Sequence, residues 1–187
     1  MKHLFYKESQ ITLISDTHGG HRRLDIPFSD ILIHCGDACN GGNLEELADF
    51  FSWFTELPVR HKIFIPGNHD LIFDLEPELA HNLVPDNINV LENSGWLIED
   101  IQFYSLAARP WLHQFPELPK HPIDFLLTHG PPYSILDMGT GCKLLYEFVE
   151  KVKPTYHIFG HIHERAEQEV LKDGVFFLNV GTQKYAE

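Results

Sequence analysis

The run Ile31-Leu32-Ile33-His34-Cys35-Gly36-Asp37 passes from apolar to polar within a few residues, and four other runs along the chain do the same. Ile11 to Ser15 leads into Asp16-Thr17-His18, Lys62 to Pro66 into Gly67-Asn68-His69-Asp70, Ile123 to Thr128 into His129-Gly130, and Tyr156 to Phe159 into Gly160-His161-Ile162-His163. Short, β-branched, continuously apolar runs read as buried strands, and the abrupt switch marks their ends. If the strands run parallel, the five turns gather at one edge, where open α/β sheets bind their ligands. Seven potential metal ligands then converge on one crevice. Residues at i and i+2 leaving a strand point to the same side, so Asp16 with His18, and His161 with His163, each present two donors to one region.

Outward from these strands, the spacing of Asn43 and Glu46 predicts a capping box. The helix it opens carries Leu44, Leu47, Phe50, Phe51 and Phe54 on one stripe and stops before Pro58. A second helix is predicted over Lys143 to Val152, with Leu144, Phe148 and Val152 one turn apart, Leu145 and Val149 widening the face, and Pro154 ending it. Trp96 to Ser105 and Glu169 to Val180 read as consecutive strands joined by turns, the latter through Asp173-Gly174. The expected fold is therefore α/β: a central β-sandwich of two mixed sheets flanked by helices. Periodicity does not say which strand belongs to which sheet. A chain of 187 residues is expected to be one domain, 1–187, large enough for its own core.

Carboxylate, amide and imidazole donors without thiolate suit Mn, Fe or Zn better than the all-oxygen shells of Ca or Mg. Against 27 acidic residues stand 14 basic ones, a formal charge of -13 that disfavours long nucleic acids and anionic membranes as partners. A small phosphate ester stays open as a substrate, because bound cations override the field around them locally. Cys35, Cys39 and Cys142 are odd in number and lack CxxC spacing, as expected of free thiols in a reducing compartment. With no apolar leader between Met1 and Gln10 and no run of membrane-spanning length, the expected location is the cytoplasm.

The ordered blocks D-x-H, GD, GNHD, a lone His and GHxH, from Asp16 to His163, resemble the calcineurin-like metallophosphoesterase family. The wording ILIHCGD, FIPGNHD, LLTHGPP and GHIHE is most similar to its small phosphodiesterase branch, which includes the MPPED proteins of animals. The resemblance implies a four-layer α/β/β/α fold and two divalent ions. Asp16, His18 and His163 would hold the first, Asn68, His129 and His161 the second, and Asp37 would bridge them. It further implies metal-activated hydroxide as nucleophile on a phosphodiester such as a cyclic nucleotide, with Asn68 and His69 contacting phosphate and His69 as general acid. Asp70 is expected to orient His69 through the imidazole's other nitrogen.

A phosphomonoesterase using the same ions, or a scaffold of this fold that binds a partner protein, are the alternatives. After Asp37 the chain reads Ala38-Cys39-Asn40-Gly41-Gly42, without the arginine that the family's protein phosphatases carry there. His34 and Cys39 are expected to be packed residues. Arg22 and Arg23 are expected on a solvated face, with reach toward an anion as the alternative. Trp111, His113 and Phe115, in a Pro-rich segment, belong either to a wall over the site or, preferably, to the core.

Overall fold

In the computed structural model, which describes residues 1–182, the chain runs β1 (Lys2–Tyr6), β2 (Ser9–Ile14), β3 (Ile31–His34), α1 (Leu44–Glu56), β4 (His61–Phe64), α2 (Ile72–Leu75), α3 (Pro77–Asn82) and β5 (Ile88–Val90). It continues through β6 (Gly95–Ile98), β7 (Ile101–Ser105), β8 (Phe125–Leu127), α4 (Lys143–Val152), β9 (Tyr156–Phe159), β10 (Glu169–Lys172) and β11 (Val175–Asn179). One sheet has the order β1-β2-β3-β4-β5, the other β10-β11-β9-β8-β7-β6. Both are mixed: β2 through β5 pair in parallel and β1 joins antiparallel, while β7, β8, β9 and β11 pair in parallel between two antiparallel edge strands.

Alternation along each strand separates the layers. Ile11, Leu13, Ile31, Ile33 and Ile63 of the first sheet meet Phe103, Phe125, Leu127, Ile158 and Leu178 of the second in the central core. Leu32 and Phe64 point outward onto Leu47, Phe50, Phe51 and Phe54 of α1. Leu126, Phe159 and Phe177 pack outward on Leu145, Phe148 and Val149 of α4. This is the α/β/β/α sandwich expected, with three turns of the five-block pattern on the first sheet and two on the second.

Asn43 caps α1 as its spacing predicts, accepting the Glu46 N–H at 3.0 Å, but the reciprocal bond of a capping box is replaced. The Glu46 carboxylate reaches further back to the N–H groups of Gly41 and Gly42, both at 2.9 Å, and so stiffens the loop that follows Asp37. Helix α4 has the predicted bounds, with its buried face centred on Leu145, Phe148 and Val149 and with Leu144 and Val152 only partly covered. The β1–β2 hairpin carried no glycine or asparagine signal: Lys7 and Glu8 both take left-handed φ, 47° and 55°. All three cysteines are free and buried. No helix among the described residues is long and apolar enough to cross a membrane.

Candidate metal centre

The five turns meet at one end of the sandwich, around a cleft of about 310 Å³ lined by Asp16, His18, Asp37, Asn40, Asn68, His69, His161, His163 and Thr182. His129, fully buried, forms the floor with its ring 5.2 Å from that of His161. Two groups of donor atoms, each within 4.8 Å of one another, are Asp16-His18-His163 and Asp37-His129-His161; a third, His18-Asp37-His69, overlaps both. Asp37 Oδ2 lies between the groups, 3.2 Å from His129 Nε2 and 3.8 Å from His18 Nε2.

The backbone is bent to make this possible. Asp16, His18, Asp37 and His161 all adopt left-handed φ, at 57°, 42°, 58° and 67°. Non-glycine residues persist there only when their surroundings over-determine them, and such strain gathers at functional sites. Close approach is the second device: a Cβ on Gly67 would stand 2.3 Å from Asp37 Oδ1, and one on Gly160 would stand 2.3 Å from Asp16 Oδ2. Gly67 is fixed by the carboxylate it faces, and Gly160 by the Asp16 carboxylate together with Ser15 Oγ, which a Cβ would meet at 2.1 Å.

The donors fit divalent ions. Asn68 Oδ1 is buried without a hydrogen-bond partner although it is a strong acceptor, and Asn68 lines the cleft beside Asp37 and His161; His129 Nε2, equally buried, faces Asp37 Oδ2 at 3.2 Å. The other nitrogens of two of the imidazoles are committed to carbonyls, His129 Nδ1 to Cys35 O at 2.8 Å and His18 Nδ1 to Cys39 O at 3.1 Å. With Nδ1 as donor, Nε2 of the neutral ring is left with its lone pair, the arrangement typical of metal-ligating histidine.

The ionisable groups of the cleft shift one another. Burial works against a charged His129, yet the Asp37 carboxylate outweighs it and holds the imidazole up at about 9. Asp37 is desolvated too, but the charge of His129 and the His69 N–H pull its carboxyl well below the usual range. Burial raises Asp16, and the hydrogen bond to His163 together with the charge of His129 more than reverses the effect. His161 is pushed down to about 4, first by burial and then by charged His129.

Asp70 does not touch the His69 imidazole, and its expected role as that ring's orienting partner is corrected. Its carboxylate is fully buried and accepts three backbone N–H groups, from Gly67 at 2.8 Å, Asp37 at 2.9 Å and Cys39 at 3.0 Å. It ties the Asp37 turn to the Asn68 turn. Burial and then Asp37 push it up to about 6. His69 is oriented instead by the Asn40 carbonyl, which accepts its Nδ1–H at 2.6 Å.

His34 is the packed residue expected, fully buried against Phe50 and Phe64. It accepts the Gly36 N–H on Nδ1 at 3.3 Å and meets Thr17 Oγ1 with Nε2 at 3.0 Å, joining two of the ligand turns. Cys39 is buried and contributes its carbonyl. Arg22 pairs with Asp49 at 2.7 Å on an exposed face, and neither it nor Arg23 lines the cleft. Trp111 is half exposed and donates to Thr140 O at 2.7 Å, and with His113 it lines a separate depression, while Phe115 packs against the α4 core. These three form no wall over the cleft. Asn40 and Thr182 do line it, and pattern reading missed both; Asn40 stands in the segment after Asp37 whose wording departs from the protein phosphatases.

The sequence matches the calcineurin-like phosphoesterase family over residues 9–165, and the chain belongs to that family. Among its relatives, a UPF0046 protein of Caenorhabditis elegans is 32% identical, with 88% of this chain and 66% of that protein covered. The human metallophosphoesterase domain-containing protein 1 is 30% identical, with 83% and 61% covered, so the chain spans less than two thirds of either relative. Phosphopantetheinyl hydrolase of Mycobacterium tuberculosis shares the fold at a TM-score of 0.67 and 14% identity, over 92% of this chain and 88% of that one. A Thermus thermophilus protein, TT1561, does so at 0.65 and 13%, over 92% and 89%.

Proposed function

We propose that the chain is a metal-dependent phosphodiesterase acting on small phosphodiesters. The observation that carries this reading is the meeting of two donor groups at Asp37 Oδ2 in the cleft of a phosphoesterase-family fold. Asp16, His18 and His163 would hold one divalent ion, Asn68, His129 and His161 a second, with Asp37 shared between them. Mn suits these donors best, with Fe and Zn as alternatives. When bound, such a pair supplies Lewis acidity, activating water and offsetting the charge that builds on the phosphoryl oxygens.

The chain's own residues do the rest. His69, exposed at the mouth, has its Nδ1–H fixed by Asn40 O, which leaves Nε2 as the nitrogen for proton transfer to the leaving oxygen. Asn68 and Asn40 offer neutral amide donors to the remaining phosphoryl oxygens. Among the described residues no lysine or arginine lines the cleft. A singly charged diester needs fewer fixed cations than a doubly charged monoester, which favours the diester, and cyclic nucleotides are the first class to screen. Two carboxylates facing two divalent ions leave a local positive charge, so an anion can bind despite the net charge of -13.

The test compares bis-p-nitrophenyl phosphate with p-nitrophenyl phosphate, using metal-stripped protein titrated with Mn²⁺. Diester turnover that requires the metal is expected. Preference for the monoester would make the protein a phosphatase, and no turnover with Mn²⁺, Fe²⁺ or Zn²⁺ would favour the partner-binding scaffold.

A further inference from the structure

The ligands come from two separate sheets, and in one place a short length of chain fastens one set to the other. Asn179, the last residue of β11, is fully buried with its amide entirely engaged. Nδ2 donates to Ile162 O at 2.9 Å and Gly160 O at 3.3 Å, the carbonyls on either side of His161, and Oδ1 accepts the Gly181 N–H at 2.9 Å. Gly181 forms a parallel bridge to Ser15 of the first sheet's rim. Thr182 then donates its N–H to Ser15 O at 3.1 Å and its hydroxyl to Asp16 O at 2.7 Å, with Ser15 O also in reach at 3.1 Å.

We propose that residues 179–182 act as a strap that sets the spacing of the two halves of the metal centre, with Asn179 and Thr182 as positioning residues for His161, His163 and Asp16. The strap rests on the two-ion reading above. Each anchor grips a residue whose backbone is strained: Asn179 brackets His161, at φ 67°, and Thr182 holds Asp16, at φ 57°. An extended chain covers at most about 3.6 Å per residue, so the two residues between the anchors leave little slack. Across the gap so fixed, the His161 N–H reaches both oxygens of Asp16 at 3.1 Å, and His163 Nε2 lies 3.4 Å from Oδ1. A Cβ on Gly181 would stand 3.1 Å from Asp16 Oδ2, so the strap passes directly beside the ligand it positions. Asn179 lies outside the cleft lining, and Thr182, which borders the cleft, turns its hydroxyl to the carbonyls of Ser15 and Asp16; both work through the turns.

Thr182→Val removes the hydroxyl at nearly constant volume and Thr182→Ser keeps it. The strap predicts that the valine variant binds Mn²⁺ roughly tenfold more weakly than wild type, as loss of groups that orient metal ligands generally does. The visible spectrum of its Co²⁺ form is shifted, and the serine variant restores both. Asn179→Ala reads the other anchor and should weaken Mn²⁺ binding to a similar degree, with thermal melts of the metal-free variants separating this from unfolding. Wild-type affinity and cobalt spectrum in both Thr182→Val and Asn179→Ala would overturn the proposal, as would a serine variant no better than valine. Failure of the wild type itself to bind Mn²⁺ would instead remove the two-ion reading, and the strap with it.

Discussion

The two halves of the cleft are built from different chemistry. The turns after β2, β3 and β4 supply both carboxylates and the amide, Asp16, Asp37 and Asn68, together with His18; those after β8 and β9 supply imidazole alone, His129, His161 and His163. Three strained ligand positions lie in the first half and one in the second. The charge that would hold cations therefore sits on one sheet and the neutral donors that would complete their shells on the other. On the proposed two-ion reading, an ion bound here would cross-link the layers and make the centre a joint of the sandwich as well as a reactive site. Each half is steadied by buried polar groups that do not face the cleft: Asp70 and His34 in the first, Asn179 in the second.

The sharpest way to break this picture is at the shared oxygen. Asp37→Ala should lower diester turnover by at least about a thousandfold, since it removes the carboxylate that lies between the two donor groups; residual activity near wild type in a steady-state assay would show that the halves work independently. Next in size is the contrast between framework and mouth. Asp70→Asn turns an amide N–H₂ toward backbone N–H donors, and should cost about 2–3 kcal/mol and lower Tm by roughly 5–10 °C. His69→Ala should leave Tm within about 1 °C while turnover collapses. Calorimetry and kinetics on the two variants distinguish these roles, and equal melting losses would contradict them.

How much of this was legible before the structure follows from where the information sits. Candidate ligands at strand ends are visible because an apolar run must stop where the chain turns polar, which is why Asp16, Asp37, Asn68, His129 and His161 stood out. Asn179 did not, because Val180 follows it and the single polar residue reads as an interruption of a strand. The role of Asp70 was misread because its partners are backbone N–H groups from three turns, which leave no trace in side-chain pattern, whereas its neighbour His69 is conspicuous. Sheet membership was hidden as well: β3 and β8 have the same apolar character, and only the crossover between β5 and β6 places them in different layers.

A subtler difference between apo and loaded states is a proton count. Because His129 is held at about 9 by Asp37 in the absence of a cation, it is charged at pH 7 and must release its proton to become a ligand. Calorimetric titration of metal-stripped protein in buffers of different ionisation enthalpy should show about one proton released per chain on loading; no release would mean that His129 does not coordinate.

A further contrast concerns stability in acid. Burial pushes His157, which meets Thr128 Oγ1 at 2.9 Å, down to about 3, well below the unfolded value of about 6.5. Above pH 6.5 both states are neutral and the group contributes no pH dependence. As pH falls from 6.5 toward 3 the unfolded chain takes up a proton that the folded one refuses, and stability drops by up to about 1.4 kcal/mol per pH unit. Urea melts between pH 6 and 4 should show a slope shallower by about one proton in His157→Gln, and an unchanged slope would mean that the buried ring accepts the proton.

The most direct test of the centre is the number of ions it holds. Equilibrium dialysis of metal-stripped protein against Mn²⁺, with metal counted by atomic absorption, should give two ions per chain, and fewer in Asp37→Ala. A wild-type chain that retains no ion, or an Asp37→Ala variant that loads identically, would contradict a shared two-ion site.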